Sequence, residues 1–179
     1  KEEEQEFPGW GQAMDPDGDC TFHGDDGQLT IVAPGPRHGL SIELNRMNAP
    51  RVMRTVEGDF SVELRIDTKF TPGDQTIAQR TAYQGSGLLL FQDDENYARI
   101  EAAVLVRNGN PRYYVNFELR VDGQLQRFGI PDDYSWDSTR PIWLRLDRRD
   151  NQLLGAATQE VGSWTYLNPK NIGLSEVVQ

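Results

Sequence analysis

The sequence of 179 residues contains few of the residues that mark several common classes of protein. It has a single cysteine, Cys20, which excludes an internal disulfide framework, and two histidines, too few for a histidine-rich metal site. Lysine and arginine total 18 against 28 aspartate and glutamate residues, so the net charge is -10. This balance argues against nucleic acids and anionic membranes as partners, because both are bound through basic side chains.

Long apolar runs, helical periodicity and familiar catalytic motifs are also missing. No apolar run approaches the roughly 20 residues that cross a bilayer as a helix, so we expect no membrane insertion. Hydrophobic residues make up 37% of the chain and charged residues 26%, as in a somewhat polar soluble protein, and both extracytoplasmic and cytoplasmic locations stay open. No nucleophile elbow, phosphate-binding loop, dinucleotide-binding glycine pattern or zinc spacing is found.

What the sequence does contain is a repeated alternation of apolar and polar residues. It runs through residues 60–66, 97–104, 112–121 and 142–147. Because side chains alternate between the two faces of a strand, this period of two is typical of strands with one buried face. Roughly ten short strands separated by turns predict an all-β fold, namely an antiparallel two-sheet β-sandwich or jelly roll.

The pattern is clearest in a predicted hairpin over residues 85–103. Its acidic turn, residues 92–96, is rich in Asp and Asn, which favour turn geometry. The strand after the turn alternates, which places Arg99 and Glu101 on one face. Gly87, inside the first strand, predicts close packing of the backbone.

We expect one domain with a loose start. Residues 1–9 are predicted to be a frayed N-terminal segment and residues 10–179 a single domain, since about 100–200 residues per domain is usual. The turn signal at residues 24–27 predicts a further hairpin. Residues 68–83 lack periodicity and predict a long loop. A late strand is predicted over residues 125–130.

Several segments, taken in order, resemble a known superfamily. FSVEL at 60–64, GSGLLL at 85–90, DENYARIE at 94–101 and IWLRL at 142–146 are similar to concanavalin A-like (laminin-G-like) jelly-roll domains. Two more specific pieces are DPDGDC at 15–20 and NAPRV at 48–52. These resemble a bacterial and fungal family of unknown function, described as concanavalin A-like and related to a regulator of enolase.

The resemblance implies two antiparallel sheets, one of them curved, and usually a sugar- or protein-binding role without an established reaction. It covers the chain from Trp10 to about Trp164. Relatives continue with a closing strand that runs beside the N-terminal one, whereas this chain stops at Gln179. We therefore expect the domain to lack its closing strand, or the native protein to be longer. Strand pairing with another segment or chain would cover the open edge.

The first candidate site is acidic. Asp15, Asp17 and Asp19 alternate in a loop that contains Gly and Pro. Hard oxygen ligands in such a loop suit Ca²⁺, and calcium sites are frequent in the superfamily that the sequence resembles. The loop lacks the Gly position and the closing Glu of an EF-hand. The alternative is an Asx-type turn in which the carboxylates cap backbone amides.

The second candidate is a polar face on two neighbouring strands. Glu101 and Glu118 fall on its outward positions, and Arg99, Tyr114 and Asn116 surround them. The face could be a solvated ion pair, a ligand-binding surface or the two carboxylates of a glycan hydrolase. The compact Glu-x-Asp-x-Glu motif of jelly-roll hydrolases is absent, which favours binding over catalysis.

Rim loops supply the remaining candidates, His38, Asn48, Arg51 and Trp136. Arg51 could bond a sugar hydroxyl, or it could tie its loop to backbone carbonyls. Trp136, in a polar loop, is the best exposed candidate for stacking on a sugar ring, with a packed loop anchor as the alternative. The other tryptophans considered are expected in the core, namely Trp10, Trp143 and Trp164.

Together these features favour a non-catalytic binding module that recognises carbohydrate or a protein partner through a concave sheet face and rim loops. The alternatives are a glycan-active hydrolase that uses Glu101 and Glu118, and a structural or assembly domain of a larger protein. A short separation between Glu101 and Glu118 below an open cleft would favour the hydrolase.

Overall fold

The computed structural model describes the backbone of most of the chain, namely residues 5–35, 38–73, 82–126 and 134–179, with all their side chains except that of Glu43. This backbone is built mainly from antiparallel strands, with one short 3-10 helix, Ile42–Leu44, in the described part. The all-β prediction is confirmed. Among the described residues, no helix has the length and apolar character needed to cross a membrane.

The chain divides into two compact units, Lys1–Thr55 with Gln179 and Val56–Val178. The strands of the first unit are short. Their bounds are β1 Glu6–Phe7, β2 Gly11–Met14, β3 Thr21–Asp25, β4 Gln28–Val32, β5 Leu40–Ser41, β6 Arg46–Met47 and β7 Arg51–Met53. Strands β1, β2 and β7 form one sheet, while β3 pairs with β4 and β5 with β6.

The β3–β4 hairpin follows the predicted turn. Asp26 and Gly27 both have positive φ, 43° and 79°, which this tight turn requires. The start of the chain differs from the expected frayed segment, because Glu6 and Phe7 form β1. Phe7 is buried, with its ring centroid 6.2 Å from that of Phe22. Residues 1–4 lie outside the described residues.

The second unit holds the longer strands. Their bounds are β8 Val56–Glu57, β9 Phe60–Ile66, β10 Ala82–Asp93, β11 Asn96–Arg107, β12 Asn110–Val121, β13 Gln124–Gln126, β14 Ile142–Arg149, β15 Gln152–Thr158, β16 Thr165–Tyr166, β17 Lys170–Asn171 and β18 Val177–Val178. The first sheet has the order β10-β11-β12-β13. The second has the order β16-β15-β14-β9, with β17 also paired to β15, and β18 pairs with β8.

The apolar faces of these two sheets form one hydrophobic core. Ile100 and Phe117, paired across β11 and β12, contribute from the first sheet, and Leu144 and Leu146 from the second. Gly155 marks a close approach between the sheets, because a Cβ there would lie 3.0 Å from Ile100 Cδ1 and from Phe117 Cδ1. The second unit is therefore sandwich-like, and the other face of each sheet is available to carry polar side chains.

Some predicted boundaries change. Strand β10 begins at Ala82, well before the apolar run, and Gly87 inside it lies against β11 as expected. The predicted loop 68–83 is described only to residue 73 and from residue 82, and residues 74–81 lie outside the described residues. The strand predicted to reach residue 130 is seen as β13, which ends at Gln126, and residues 127–130 are also outside the described part.

Candidate functional site

A cluster of charged and polar side chains lies on the outer face of the first sheet, as the alternation predicted. The strand register places Arg99 opposite Glu118 and Glu101 opposite Asn116. Arg99 Nε lies 2.6 Å from Glu118 Oε1 and 3.5 Å from Glu101 Oε1. Asn116 Nδ2 donates to Glu101 Oε1 at 2.9 Å and to Glu118 Oε2 at 3.3 Å. We call these four residues the ion cluster.

The ion cluster is shielded from water. Glu101 and Glu118 are each 8% exposed, and the side chain of Arg99 is 18% exposed. Burial by itself lowers the pKa of Arg99, but the two carboxylates outweigh it and hold this pKa above its ordinary value. The interpretation of this face as a solvated surface pair is therefore wrong.

Two tyrosines border the ion cluster. Burial raises the pKa of Tyr83 well above its ordinary value, and the Glu101 carboxylate raises it further. Burial also raises the pKa of Tyr114 to about 12. Gly85 leaves room for this packing, since a Cβ there would lie 2.7 Å from Tyr83 Oη and 2.9 Å from Glu101 Oε2. The face is a tightly packed polar layer in which Arg99 forms ion pairs with both carboxylates and Asn116 donates hydrogen bonds to both.

The two carboxylates are close together but bridged. Because Arg99 Nε lies 3.5 Å from one Oε1 atom and 2.6 Å from the other, these oxygens are at most about 6.1 Å apart. Retaining glycosidases separate their carboxyls by about 5–5.5 Å and inverting enzymes by about 6.5–9.5 Å. Here, however, the Arg99 guanidinium forms ion pairs with both carboxylates, and the Asn116 amide donates hydrogen bonds to both. A substrate would have to displace these donors, so the geometry favours a structural role.

In the first unit, residues from separate loops meet around His38. Its Nε2 atom lies 2.8 Å from Asp19 Oδ1, 3.6 Å from Cys20 Sγ and 4.0 Å from Asp17 Oδ2. Asn48 Nδ2 donates to Asp17 Oδ2 at 2.5 Å. The sequence indicated an aspartate loop and a rim loop as separate candidates. The structure joins them into one group, the loop cluster, consisting of Asp17, Asp19, Cys20, His38 and Asn48.

Asp15 has a different role from the two aspartates that follow it. Its Oδ2 atom accepts a hydrogen bond from the backbone N–H of Cys20 at 2.6 Å. This is the Asx-type turn that was the alternative to calcium binding. Asp17 instead bonds Asn48, and Asp19 bonds His38. The three predicted calcium ligands thus bond different partners. Calcium binding stays a prediction.

Cys20 is not poised as a nucleophile. Burial raises the pKa of its thiol to about 12, and the neighbouring Asp19 and Asp15 carboxylates contribute to the rise. Since the thiolate is the reactive form, the protonated thiol is unreactive near neutral pH. The sulfur nevertheless faces the loop cluster, 3.4 Å from Asp19 Oδ1.

Arg51 and Trp136, both predicted to contact a ligand, form hydrogen bonds within the chain instead. Arg51 Nη1 donates to the carbonyl oxygens of Met47 at 3.3 Å and Ala49 at 3.0 Å, so it ties its own loop together. Trp136 is 6% exposed, and its Nε1 atom donates to the Tyr114 carbonyl oxygen at 3.1 Å. The prediction of an exposed stacking platform at Trp136 is wrong. The loop instead anchors itself by burying an aromatic ring whose N–H is satisfied.

The outer face of the second sheet carries an aromatic surface that the sequence analysis missed. Trp143 lies opposite Arg65 across β14 and β9, with the Arg65 guanidinium 5.6 Å from its ring centroid. Trp164 precedes β16, and the Arg145 guanidinium lies 6.0 Å from its ring centroid. Tyr166 is 57% exposed beside them. We call these five residues the aromatic face.

Trp143 and Trp164 were expected in the core, and both are only half-buried. The alternation of apolar and polar residues in β14 correctly predicts an outward position for Trp143. Ile142 and Leu144 face the core, so the residue between them faces away from it, on the same side as Arg145. The hydrophobicity of tryptophan favours a core position, whereas the period of two predicts the outer face.

Hydrogen bonds fix the aromatic face. Arg145 Nε lies 2.8 Å from Asp147 Oδ2, and its Nη1 atom lies 3.2 Å from Glu63 Oε1. Ser61 Oγ donates to Asp147 Oδ1. Thr158 Oγ1 accepts the Glu160 N–H at 2.9 Å and so holds the turn that leads to Trp164. The rings therefore sit on side chains whose positions are already determined.

We expect Asp147→Asn to destabilise the chain by about 1.5–3 kcal/mol near neutral pH, because hydrogen bonds to charged groups contribute that much. Burial alone would raise the pKa of Asp147, but the bonds from Arg145 and Ser61 outweigh it and lower this pKa. A carboxylate with a lowered folded-state pKa stabilises the folded chain above its unfolded-state pKa of about 3.9. This stabilisation is lost as the pH falls through the folded-state pKa. The deficit of the variant should therefore shrink below about pH 4.

Urea unfolding at about pH 7 and about pH 3 measures this difference. Asp67→Asn, at an exposed aspartate, is the matched control and should change stability little. A deficit of the same size at both pH values would contradict the assigned charge on Asp147.

The comparisons with known proteins bear on the fold alone. No family model matches the sequence, and no curated protein matches it. Among solved structures, the chain is similar to a functionally unknown protein from Saccharomyces cerevisiae, with a TM-score of 0.63 and 10% sequence identity. The similarity covers 94% of this chain and 83% of that one. The chain thus shares its all-β fold with a protein whose function is unknown.

Proposed function

We propose that this chain is a non-catalytic binding module that recognises a neutral carbohydrate through the aromatic face. The observation that carries the proposal is the placement of Trp143, Trp164 and Tyr166 on one face of a sheet, where Arg65 and Arg145 lie against the two indole rings. A sheet holds such rings in fixed positions, so little side-chain freedom is lost when a ligand binds.

The chemistry of the aromatic face suits a sugar. A pyranose presents apolar C–H groups on its faces and hydroxyl groups around its rim. The indole rings of Trp143 and Trp164 offer flat apolar surfaces, and aromatic burial dominates the energetics of many binding sites. Arg145 and Glu63 lie beside them and supply a donor and an acceptor for hydroxyl groups.

The charges of this surface favour a neutral ligand. Arg65 pairs with Asp67 at 2.9 Å, and Arg145 pairs with Glu63 and Asp147. Paired charges of both signs give little net attraction for an ionic ligand. The net charge of -10 on the chain also repels anions. A neutral glycan is therefore favoured over an acidic glycan or a nucleic acid.

The same proposal includes the finer fold assignment, a concanavalin A-like jelly roll of the family of unknown function that the sequence resembles. Two antiparallel sheets with a shared core support it. An experimental structure whose strand connections differ from those of a jelly roll would count against this assignment.

A glycan array probed with the labelled chain, followed by calorimetry with the best oligosaccharide, tests the proposal. We expect neutral glycans to bind, and Trp143→Ala and Trp164→Ala each to weaken binding by about tenfold or more, since truncating an aromatic anchor costs over about 1 kcal/mol. Trp10→Ala, at a half-buried tryptophan of the first unit, is the matched control and should bind normally. Thermal unfolding confirms that each variant is folded.

Two outcomes would overturn the proposal. One is an array on which no neutral glycan is bound, and the other is normal binding by both sheet variants. Trp, Tyr and Arg are also the residues that dominate protein interfaces. A silent array together with a protein ligand whose affinity depends on Trp143 would assign the aromatic face to a protein partner instead.

A further inference from the structure

We propose that Asp17, Asp19, Cys20 and His38 form a binding site for a zinc-like divalent transition metal ion. All four residues belong to the first unit. The inference is independent of carbohydrate binding, because it uses none of the residues of the aromatic face.

Three of the donor atoms, those of Asp19, Cys20 and His38, are spaced nearly as tetrahedral zinc ligands are. Zn–S bonds of about 2.3 Å and Zn–N or Zn–O bonds of about 2.0–2.1 Å place a sulfur ligand about 3.5 Å from a nitrogen or oxygen ligand. Cys20 Sγ lies 3.6 Å from His38 Nε2 and 3.4 Å from Asp19 Oδ1. The 2.8 Å hydrogen bond between His38 Nε2 and Asp19 Oδ1 has to open by only about 0.5 Å for an ion to lie between them.

Asp17 is the fourth ligand in this proposal, and its carboxylate has to move closer, because only the donor atoms of Asp19, Cys20 and His38 all lie within 4.8 Å of one another. Its Oδ2 atom lies 4.0 Å from His38 Nε2 and is held there by Asn48 Nδ2. Carboxylate ligands of metal ions are normally oriented by such outer hydrogen bonds, and Asn48 would be that orienting residue. A shallow depression lined by Asp17, Asn48 and residues 44–47 opens beside the group.

The types of donor select the metal. A thiol, an imidazole and carboxylates form a mixed set that suits zinc and its neighbours in the transition series. Calcium and magnesium prefer sites built from oxygen atoms alone. Cys20 and His38 provide sulfur and nitrogen, and Asp15 is engaged by the backbone N–H of Cys20. The group is therefore better matched to zinc than to calcium.

The surroundings of Cys20 favour a cation. Asp15 Oδ1 is buried and accepts no hydrogen bond within the described part of the chain, although Oδ2 of the same carboxylate bonds the Cys20 amide. A buried carboxyl oxygen without a donor is rare and calls for an explanation such as a nearby ion or an ordered water molecule. The side chain of His38 is only 10% exposed, so Nε2 is already fixed near the sulfur. A bound cation would also stabilise the thiolate form of Cys20.

Titration of the whole, chelator-treated chain with Zn²⁺ and with Co²⁺ tests the site. We expect one ion per chain, a rise in the thermal unfolding temperature with Zn²⁺, and a thiolate-to-cobalt charge-transfer band with intense tetrahedral ligand-field bands. The cobalt spectrum of the unmodified chain reports sulfur coordination directly. It remains decisive even if a ligand variant fails to fold.

Variants assign the ligands. Cys20→Ser and His38→Gln should each weaken zinc binding by more than about 100-fold, because even outer-shell changes cost about 10–100-fold. His23→Gln removes the other histidine, exposed on β3, and is the matched control. Trp143→Ala should also bind zinc normally, which separates failure of this site from failure of the aromatic face.

Three results would overturn the inference. The first is the absence of stoichiometric Zn²⁺ binding. The second is a Co²⁺ spectrum without the thiolate band, and the third is unchanged binding in both Cys20→Ser and His38→Gln. Calcium that binds more tightly than zinc would instead support the oxygen site expected from the aspartate loop.

Discussion

Replacing Gly87 with alanine is expected to destabilise the chain by at least about 3 kcal/mol, or to prevent folding. A Cβ at this position would overlap the carbonyl oxygen of Ile100 and lie 2.6 Å from the Cα of Glu101. Both atoms belong to the backbone of β11, which pairs with β10 along its length. Strand β11 cannot move away without losing its pairing with β10, so the clash cannot be relieved without a large loss of stability. Denaturant unfolding measures the effect.

Two other glycines provide a graded comparison. A Cβ on Gly73 would meet no atom within 4 Å, so Gly73→Ala should be close to neutral. A Cβ on Gly85 would meet the ends of the Tyr83 and Glu101 side chains, which can shift, so Gly85→Ala should lie between the extremes. If Gly87→Ala were as stable as Gly73→Ala, the close approach of β10 and β11 would be incorrect.

Replacing Arg99 with methionine should cost about 3–5 kcal/mol, the range for removing one partner of a buried ion pair. The substitution leaves Glu101 and Glu118 shielded from water, with their negative charges close together. Urea unfolding of the variant and of the unchanged chain measures this loss of stability.

The matched control is Arg140→Met, which removes an exposed ion pair with Asp137 and should cost at most about 1 kcal/mol. In addition, the triple variant Arg99→Met/Glu101→Leu/Glu118→Leu should recover most of the lost stability, because apolar replacement of a whole buried cluster is often neutral. A loss in Arg99→Met no larger than in Arg140→Met would show that the ion cluster contributes nothing to folding.

The sequence predicts the fold where alternation is strict. Strand β9 has the predicted bounds Phe60–Ile66, and the polar row of β11 and β12 lies on one face as expected. The prediction misses only the start of β10, because residues 82 and 83 were expected in a loop without periodicity. Gly85 and Gly87, which follow, lower the local strand propensity, and the neighbouring strand and side chains leave little space for a Cβ there. Local propensity does not record such a tertiary requirement.

Burial was harder to predict than strand position. Trp136 lies in a polar loop, yet its ring meets Phe70 and Tyr113 at 5.9 and 5.3 Å between centroids. Only the path of the folded loop shows that these rings come together. For Trp143, in contrast, the alternation of β14 is sufficient to predict that the side chain lies on the outer face.

The loop cluster could have been predicted in part. Cys20 and His38 are far apart in the sequence, but the predicted hairpin between them brings its own ends together, with Thr21 paired to Val32. What the sequence could not supply is the path after the hairpin, which brings His38 to 3.6 Å from Cys20 Sγ. The spacing of Cys20 and His38 matches no familiar zinc motif, so a search for such motifs does not detect the loop cluster.

Gly155 has a consequence for how sequences of this fold can diverge. The side chains of Ile100 and Phe117 fill the space between the two sheets that a side chain at position 155 would occupy. Because protein interiors are packed to crystal-like density, a larger residue at position 155 requires a smaller one at position 100 or 117. Substitutions at these three positions should therefore be inherited together. Their joint variation among relatives would preserve the distance between the sheets while individual side chains change.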